Sequence, residues 1–291
     1  MPICAPLPPA LAERLAAGPL AALILGSSLL AFGPLLVRLA DVAPVASAFW
    51  RMALAAPVLV AVALLRRPGP LAGLPWGLGL AAGAFFAADL AAWHLGIVRT
   101  TTANATLFAN TTAFMLAGWG LLVLREKPEL ARLGPLALAG IGALLLLGQS
   151  AEVSPANLLG DLLSLAAAAF YTGYLLVIMR MRGTHPTATV IALATMSAGI
   201  LLLPAALAAD GSFWPTDWRP VVALAVSSQL AGQGLMVFAS GRLPASVLAI
   251  GLLIQPLVSA AAGMAVFGER LSPLGLAGAA LIIVALVLVR R

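Results

Sequence analysis

Charge is scarce in this chain: 9% of its 291 residues are Asp, Glu, Lys or Arg, against 62% hydrophobic, and the mean hydropathy is +1.08. A soluble domain must wet its surface with charged side chains, so this scarcity excludes one. The one cysteine, Cys4, lies in a Pro-rich N-terminal stretch, which excludes an intramolecular disulfide framework and a Cys-based metal site. Two histidines, His94 and His185, stand ninety-one residues apart, with no H-E-x-x-H and no G-x-S-x-G anywhere. Neither a zinc site nor a Ser/His pair has a frame, so no metal and no cofactor is expected. The one lysine, Lys127, follows no G-x-x-x-x-G-K-[ST] loop, which excludes energy from ATP bound within this chain. The net charge of +6 is not read as a nucleic-acid footprint, because in a lipid-embedded chain the distribution of charge matters more than its sum.

What is present is a series of continuously apolar runs about 20 residues long, each able to cross roughly 30 Å of hydrocarbon as a helix. Strands would alternate apolar and polar residues, so the fold class is an all-α integral membrane protein. Bounded by charge, Pro or Gly, ten spans are expected. The first five run over Pro19–Val37, Pro44–Leu65, Leu74–Val98, Ala103–Leu124 and Leu133–Leu147. The second five run over Pro155–Met179, Thr187–Ala209, Pro220–Ala239, Pro244–Phe267 and Pro273–Val289. The first run lacks a small-residue cleavage site and reads as a retained helix. With the N-terminus cytoplasmic, eleven Lys or Arg residues fall in inside segments and four outside, which orients both termini inward. Trp76, Trp214 and Trp218 fall at span ends and read as interfacial anchors. "NAT" at Asn104 and "NTT" at Asn110 match the glycosylation pattern, but both lie within a span.

A shift of 143 residues lays "RTTTANATLFANTTAFMLAGWGLLVLRE" over "RLPASVLAIGLLIQPLVSAAAGMAVFGE". Arg99 falls on Arg242, Gly120 on Gly263, Val123 on Val266 and Glu126 on Glu269. A half of five spans is odd in number, so its copy must cross in the opposite sense. The expected organisation is a tail over 1–18, a first repeat over 19–150 and a second over 151–291.

The "FWRMALA" stretch, Phe49 to Ala55, together with the five-plus-five organisation and the Glu closing each half's fourth span, resembles the EamA-type family of the drug/metabolite transporter superfamily. The resemblance covers nearly the whole chain. It implies a secondary transporter of small metabolites in the plasma (inner) membrane, working by alternating access, with amino acids, including aromatic ones, exported by one subgroup. The second half carries "TVIALATMSAG" where Arg51 would have its counterpart, so a paired role for that Arg in both halves is not expected.

Within the spans, Arg51 and Asp89 are expected at similar depth, roughly 10 to 14 Å below one surface at 1.5 Å per residue. A lone charge there costs about 3 kcal/mol on insertion scales, so each needs a partner or a watery cavity. Two readings stand side by side: a structural ion pair between Arg51 and Asp89, or an Asp89 that couples protons or holds a substrate ammonium. Phe86, Asp89 and Trp93 form one stripe, whereas His94 lies roughly 140° away and reads as a cavity-mouth or interface residue. On the fourth span, Asn104, Phe108, Thr111, Met115 and Trp119 read as one mixed face. The sixth span offers Ser164, Tyr171 and Tyr174, the eighth Gln229 and Gln233, and the ninth Gln255 and Ser259. Each one alone fits an interhelical hydrogen bond worth around 1 kcal/mol. Together they suit a central cavity for an amphipathic small molecule. Pro34 and Pro256 are candidate bend points, and Glu126 and Glu269 read as tethers at the membrane surface. The expected partners are a small-molecule substrate and the lipid bilayer; an intramembrane enzyme acting on a lipid or small metabolite is the alternative reading, and a scaffold a third.

Overall fold

The computed structural model describes residues 9–66, 73–126, 129–148, 154–267 and 272–288. Among them the chain is all-helical. The first span is α1 (Pro9–Leu30) followed by α2 (Gly33–Leu39), and the second and third are α3 (Pro44–Arg66) and α4 (Trp76–Ile97). The fourth is divided into α5 (Thr102–Ala109) and α6 (Thr111–Leu122), and α7 (Leu130–Leu147) closes the half. The second half begins with α8 (Leu158–Arg182) and α9 (Thr187–Ala208). Its third span joins α10 (Trp218–Leu224), a π-helical stretch (Ala225–Gln233) and α11 (Gly234–Ser240). It ends with α12 (Ala245–Leu252), α13 (Ile254–Phe267) and α14 (Pro273–Leu288).

Seven of these spans are long and apolar enough to cross a bilayer by themselves, and three are shorter apolar helices. Every span lies within three residues of its expected bounds, apart from the part of α1 that extends before Gly18. The short ones include the fifth and the tenth, which pack against each other as α7 on α14. Small residues permit that contact: a Cβ added to Gly278 would lie 2.5 Å from the Gly142 carbonyl oxygen. Without a hydrophobic force between helices in lipid, such backbone proximity is what holds them together.

The repeat is visible in the element starts. Pro44, Thr102, Thr111 and Leu130 open α3, α5, α6 and α7; Thr187, Ala245, Ile254 and Pro273, each 143 residues later, open α9, α12, α13 and α14. The two halves therefore break their fourth spans at the same register, at Asn110 and at Leu253. The main core joins α4 to α8 and α9, and α3 to α9. Exposed Leu, Ile, Val and Phe cover the outward faces, as lipid requires.

Candidate functional site

Irregular backbone at membrane depth survives only where protein or a watery hollow satisfies it. Here the interruptions of three spans gather around one cavity. The first span opens at Ala31 and Phe32, just before Pro34, whose ring nitrogen cannot donate to the carbonyl of Leu30. Ser259 on α13 donates to the Ala31 carbonyl at 3.1 Å, tying this opening to the ninth span. At Asn110 the side-chain Nδ2 donates to the Thr106 carbonyl at 2.7 Å, and Thr111 Oγ1 donates to the Phe108 carbonyl at 2.6 Å. Polar side chains thus reinforce the carbonyls next to the interruption, the Thr106 carbonyl also keeping its bond from the Asn110 amide at 3.0 Å.

The cavity measures about 90 Å³ and is lined by residues of both halves. Arg51 comes from α3, and Phe86, Asp89, Leu90 and Trp93 from α4. Thr106, Asn110 and Thr112 come from the divided fourth span, Tyr171 from α8, Gln233 from the π stretch, and Gln255 and Ser259 from α13. Trp93 closes over Gly33, where a Cβ would come within 3.3 Å of the indole, so the first-span opening needs glycine to meet that ring.

Arg51 and Asp89 both face this space, 4% and 9% exposed, but no ion pair joins them. The guanidinium Nε donates to Gln229 Oε1 at 3.2 Å, and Gln229 Nε2 donates to Thr195 Oγ1 at 2.8 Å. Its carbon sits 5.7 Å from the centre of the Phe86 ring, a cation–π contact that offsets part of the cost of burial. Asp89 has no hydrogen-bond partner among the described residues. Of the two readings, the structural ion pair is not made in this arrangement: Arg51 and Asp89 line one cavity without a hydrogen bond between them, and the Nε–H of Arg51 goes to Gln229.

Of the thirteen expected substrate-facing residues, Asp89, Trp93, Tyr171, Gln233 and Gln255 line the cavity. The other eight do not. His94 lies behind it, fully buried, with Nδ1 2.7 Å from Ser47 Oγ and 3.1 Å from the Pro44 carbonyl. Asn104 serves the start of α5, donating to both oxygens of Asp161 at 2.9 and 3.2 Å, where Thr100 Oγ1 also donates at 2.6 Å. Thr111 is spent on the Phe108 carbonyl of the preceding helix, and Phe108, Met115 and Trp119 do not line the space; Trp119 is 44% exposed. Tyr174 is stacked at 4.4 Å behind Phe86, and Gln229 stands behind Arg51. The residues missed are Thr106, Asn110 and Thr112. The polar cluster "NATLFANTT" was their signal: at about 100° per residue Thr106 and Asn110 lie on the side of the span opposite to Asn104 and Phe108, and that opposite side is the one that lines the cavity.

The two ends are tied by different chemistry. At the end carrying residues 40–43, Asp41 accepts from the Thr216 and Asp217 amides at 2.9 and 3.1 Å and from the Thr216 hydroxyl. These bonds, that of the Thr216 hydroxyl first, hold the Asp41 carboxyl below the ordinary carboxylate range. Trp50, Phe213, Trp214 and Trp218 cluster there, with the Trp50 indole donating to the Phe213 carbonyl at 2.7 Å. At the opposite end, Glu126 accepts from the amides of Ala245 and Ser246 at 2.9 and 3.4 Å, capping the N-terminus of α12. Glu269, expected as the second tether, lies outside the described residues.

Two inverted five-span halves around a polar, charged hollow define a multi-pass membrane protein with the architecture of a carrier. Over residues 18–148 and 158–291 the chain matches the EamA-like transporter family, and it belongs to that family, one of transporters rather than enzymes. It is similar to the threonine/homoserine exporter RhtA of Escherichia coli (strain K12), 34% identical over 152 residues, which is 52% of this chain and 50% of that protein. The chain thus spans about half the length of the RhtA relatives it matches. It is also 26% identical over 251 residues to the uncharacterized transporter YwfM of Bacillus subtilis (strain 168), covering 84% of each. A protein known from a crystal structure shares the fold with a TM-score of 0.77 at 19% identity, covering 95% of this chain and 96% of that one.

Proposed function

We propose that this protein exports amino acids, holding each as a zwitterion between Arg51 and Asp89. The observation that carries the reading is the pair of opposite charges facing one cavity without bonding each other. A lone charge at such depth costs about 2.5–3.5 kcal/mol on insertion scales, and direct pairing, which these two do not make, is the usual remedy. A ligand bearing one carboxylate and one ammonium supplies both missing partners at once. The guanidinium receives the carboxylate, Asp89 receives the ammonium, and the substrate side chain lies among Leu30, Leu252, Asn110 and Gln255.

The RhtA relatives, named as threonine/homoserine exporters, support an amino-acid substrate and an outward direction. They favour short polar side chains and lend no support to the aromatic substrates that the resemblance implied. The inverted halves supply two pseudo-equivalent packings around the fixed site, one open to each side. In the plasma (inner) membrane with both termini cytoplasmic, as the distribution of Lys and Arg favours, the Asp41 tie closes the outer end and the Glu126 cap the inner one.

The test is flux. Proteoliposomes containing the full chain and loaded with labelled L-threonine, L-homoserine, L-leucine and L-tryptophan are assayed for protein-dependent efflux. Faster efflux of the first two than of the others supports the reading, and absence of protein-dependent efflux for all four removes it.

A further inference from the structure

Arg51 offers two ways to hold a carboxylate: the side edge made by Nε and one terminal nitrogen, or the end edge made by both terminal nitrogens. Gln229 closes the first. Its amide oxygen takes the Nε–H at 3.2 Å, and its own orientation is fixed because Nε2 donates to Thr195 Oγ1 at 2.8 Å. Gln229 and Thr195 are both fully buried, so neither amide nor hydroxyl has water to turn to. The two terminal nitrogens of Arg51 have no hydrogen-bond partner among the described residues, and Arg51 lines the cavity. Gln229 itself does not line that wall. The π-helical stretch that carries it also presents Gln233, bonded to the Tyr171 hydroxyl at 3.1 Å, to the same space. Wide turns of this kind inside a regular helix recur at functional sites, where they re-aim side chains.

We propose that Gln229, locked by Thr195, is a positioning residue that holds the Arg51 guanidinium end-on to the cavity, so that a substrate carboxylate is received by the two terminal nitrogens. This rests on the zwitterion reading above, and it assigns Gln229 a role through Arg51 rather than through direct contact with substrate. Removing the amide oxygen frees the guanidinium to swing about its Cδ–Nε bond and exposes the side edge. The carboxylate is then bound in several orientations, none of them matched to Asp89 for the ammonium.

Two measurements on the full chain test the assignment. In the first, protein labelled with ¹⁵N-arginine is examined without substrate, and the Arg51 Nε–H signal is identified by its loss in Arg51→Lys. The signal is expected to be protected from exchange in the native chain and exposed in Gln229→Met, a change of similar volume that removes the acceptor. An Arg51 Nε–H whose protection is the same in both overturns the proposal, whatever the substrate proves to be. In the second, KM and kcat for L-threonine are measured in proteoliposomes. Gln229→Met is expected to raise KM about tenfold, or about 1.4 kcal/mol, with kcat within twofold. In an Arg51→Gln background the same change is expected to leave KM unaltered, because the partner it acts through is gone. Equal losses in both backgrounds mark Gln229 as a packing residue and overturn the proposal. If the native chain moves no L-threonine while the Nε–H behaves as expected, the amino-acid reading fails and the Gln229–Arg51 lock stands.

Discussion

Replacing Gly278 with alanine adds one methyl group at the closest approach of α7 and α14. The new Cβ would lie 2.5 Å from the Gly142 carbonyl oxygen and 2.8 Å from the Leu146 amide nitrogen, both backbone atoms that no rotamer change can move. An ordinary carbon–oxygen contact is about 3.3 Å, so the two helices must separate by close to 1 Å. A gap of that size forfeits roughly a quarter to a half of the dispersion energy along the seam. Overpacking of this kind costs about 1–3 kcal/mol, offset in part by the better helix propensity of alanine, about 1 kcal/mol. Gly118→Ala is the control, since nothing lies within 4 Å of a Cβ there and the same propensity gain goes unopposed. Thermal unfolding in detergent is expected to show Gly278→Ala a few degrees below the native chain and Gly118→Ala level with it or above. Transport per folded molecule is expected to be unchanged in both, because neither residue lines the cavity. Equal melting temperatures for the two variants would refute the contact as the reason for glycine at 278.

Asp89→Asn removes a charge-assisted bond to the substrate ammonium, worth about 1.5–3 kcal/mol, and is expected to raise KM by roughly tenfold to 150-fold. Glu126→Gln keeps the acceptor for the Ala245 amide and loses the longer bond to Ser246 together with the charge at the helix N-terminus, the latter about 0.3–1 kcal/mol, so its transport is expected to stay within a few-fold of native. A larger loss for Glu126→Gln than for Asp89→Asn in the same flux assay contradicts the assignment. The Asp41 tie carries a pH signature of definite sign: a carboxyl held below its ordinary value stabilises its loop above the unfolded pKa and releases it as pH falls through the folded one. The protection of the Thr216 and Asp217 amides, relative to intrinsic exchange, is therefore expected to fall below about pH 4 and to be constant above it. Acceleration on raising the pH from 5 to 8, beyond the intrinsic rate, tells against the tie.

Span number and span bounds were legible because the thickness of hydrocarbon imposes one length on every crossing segment. The 143-residue repeat was legible in a handful of matched residues and proved exact in the starts of α5 and α12. The rise of a straight helix put Arg51 and Asp89 within reach of one another, and both line the same cavity. The partner of Arg51 was not legible: Gln229 lies 178 residues away, and nothing local announces that an amide will take the Nε–H that Asp89 was expected to receive. The cavity face of the fourth span was misread for a different reason. Asn104, Phe108, Thr111, Met115 and Trp119 form the more polar and aromatic stripe, but Asn104 is taken up by Asp161 and Thr111 by the Phe108 carbonyl, and the opposite side, with Thr106 and Asn110, lines the cavity. His94 illustrates the remaining difficulty, since a polar residue one position past the cavity stripe turns its Nδ1 to Ser47 and Pro44, away from the cavity.

The central claim is that two unpaired charges read the two ends of a zwitterion. It is tested most directly by calorimetric binding of L-threonine, its methyl ester and its N-acetyl derivative to the purified chain and to Arg51→Gln and Asp89→Asn. The account predicts that the native chain binds each blocked analogue at least about tenfold more weakly than threonine. It further predicts that Arg51→Gln abolishes the discrimination against the ester alone, and Asp89→Asn that against the acetyl derivative alone. Native affinities that are equal for all three compounds would contradict it.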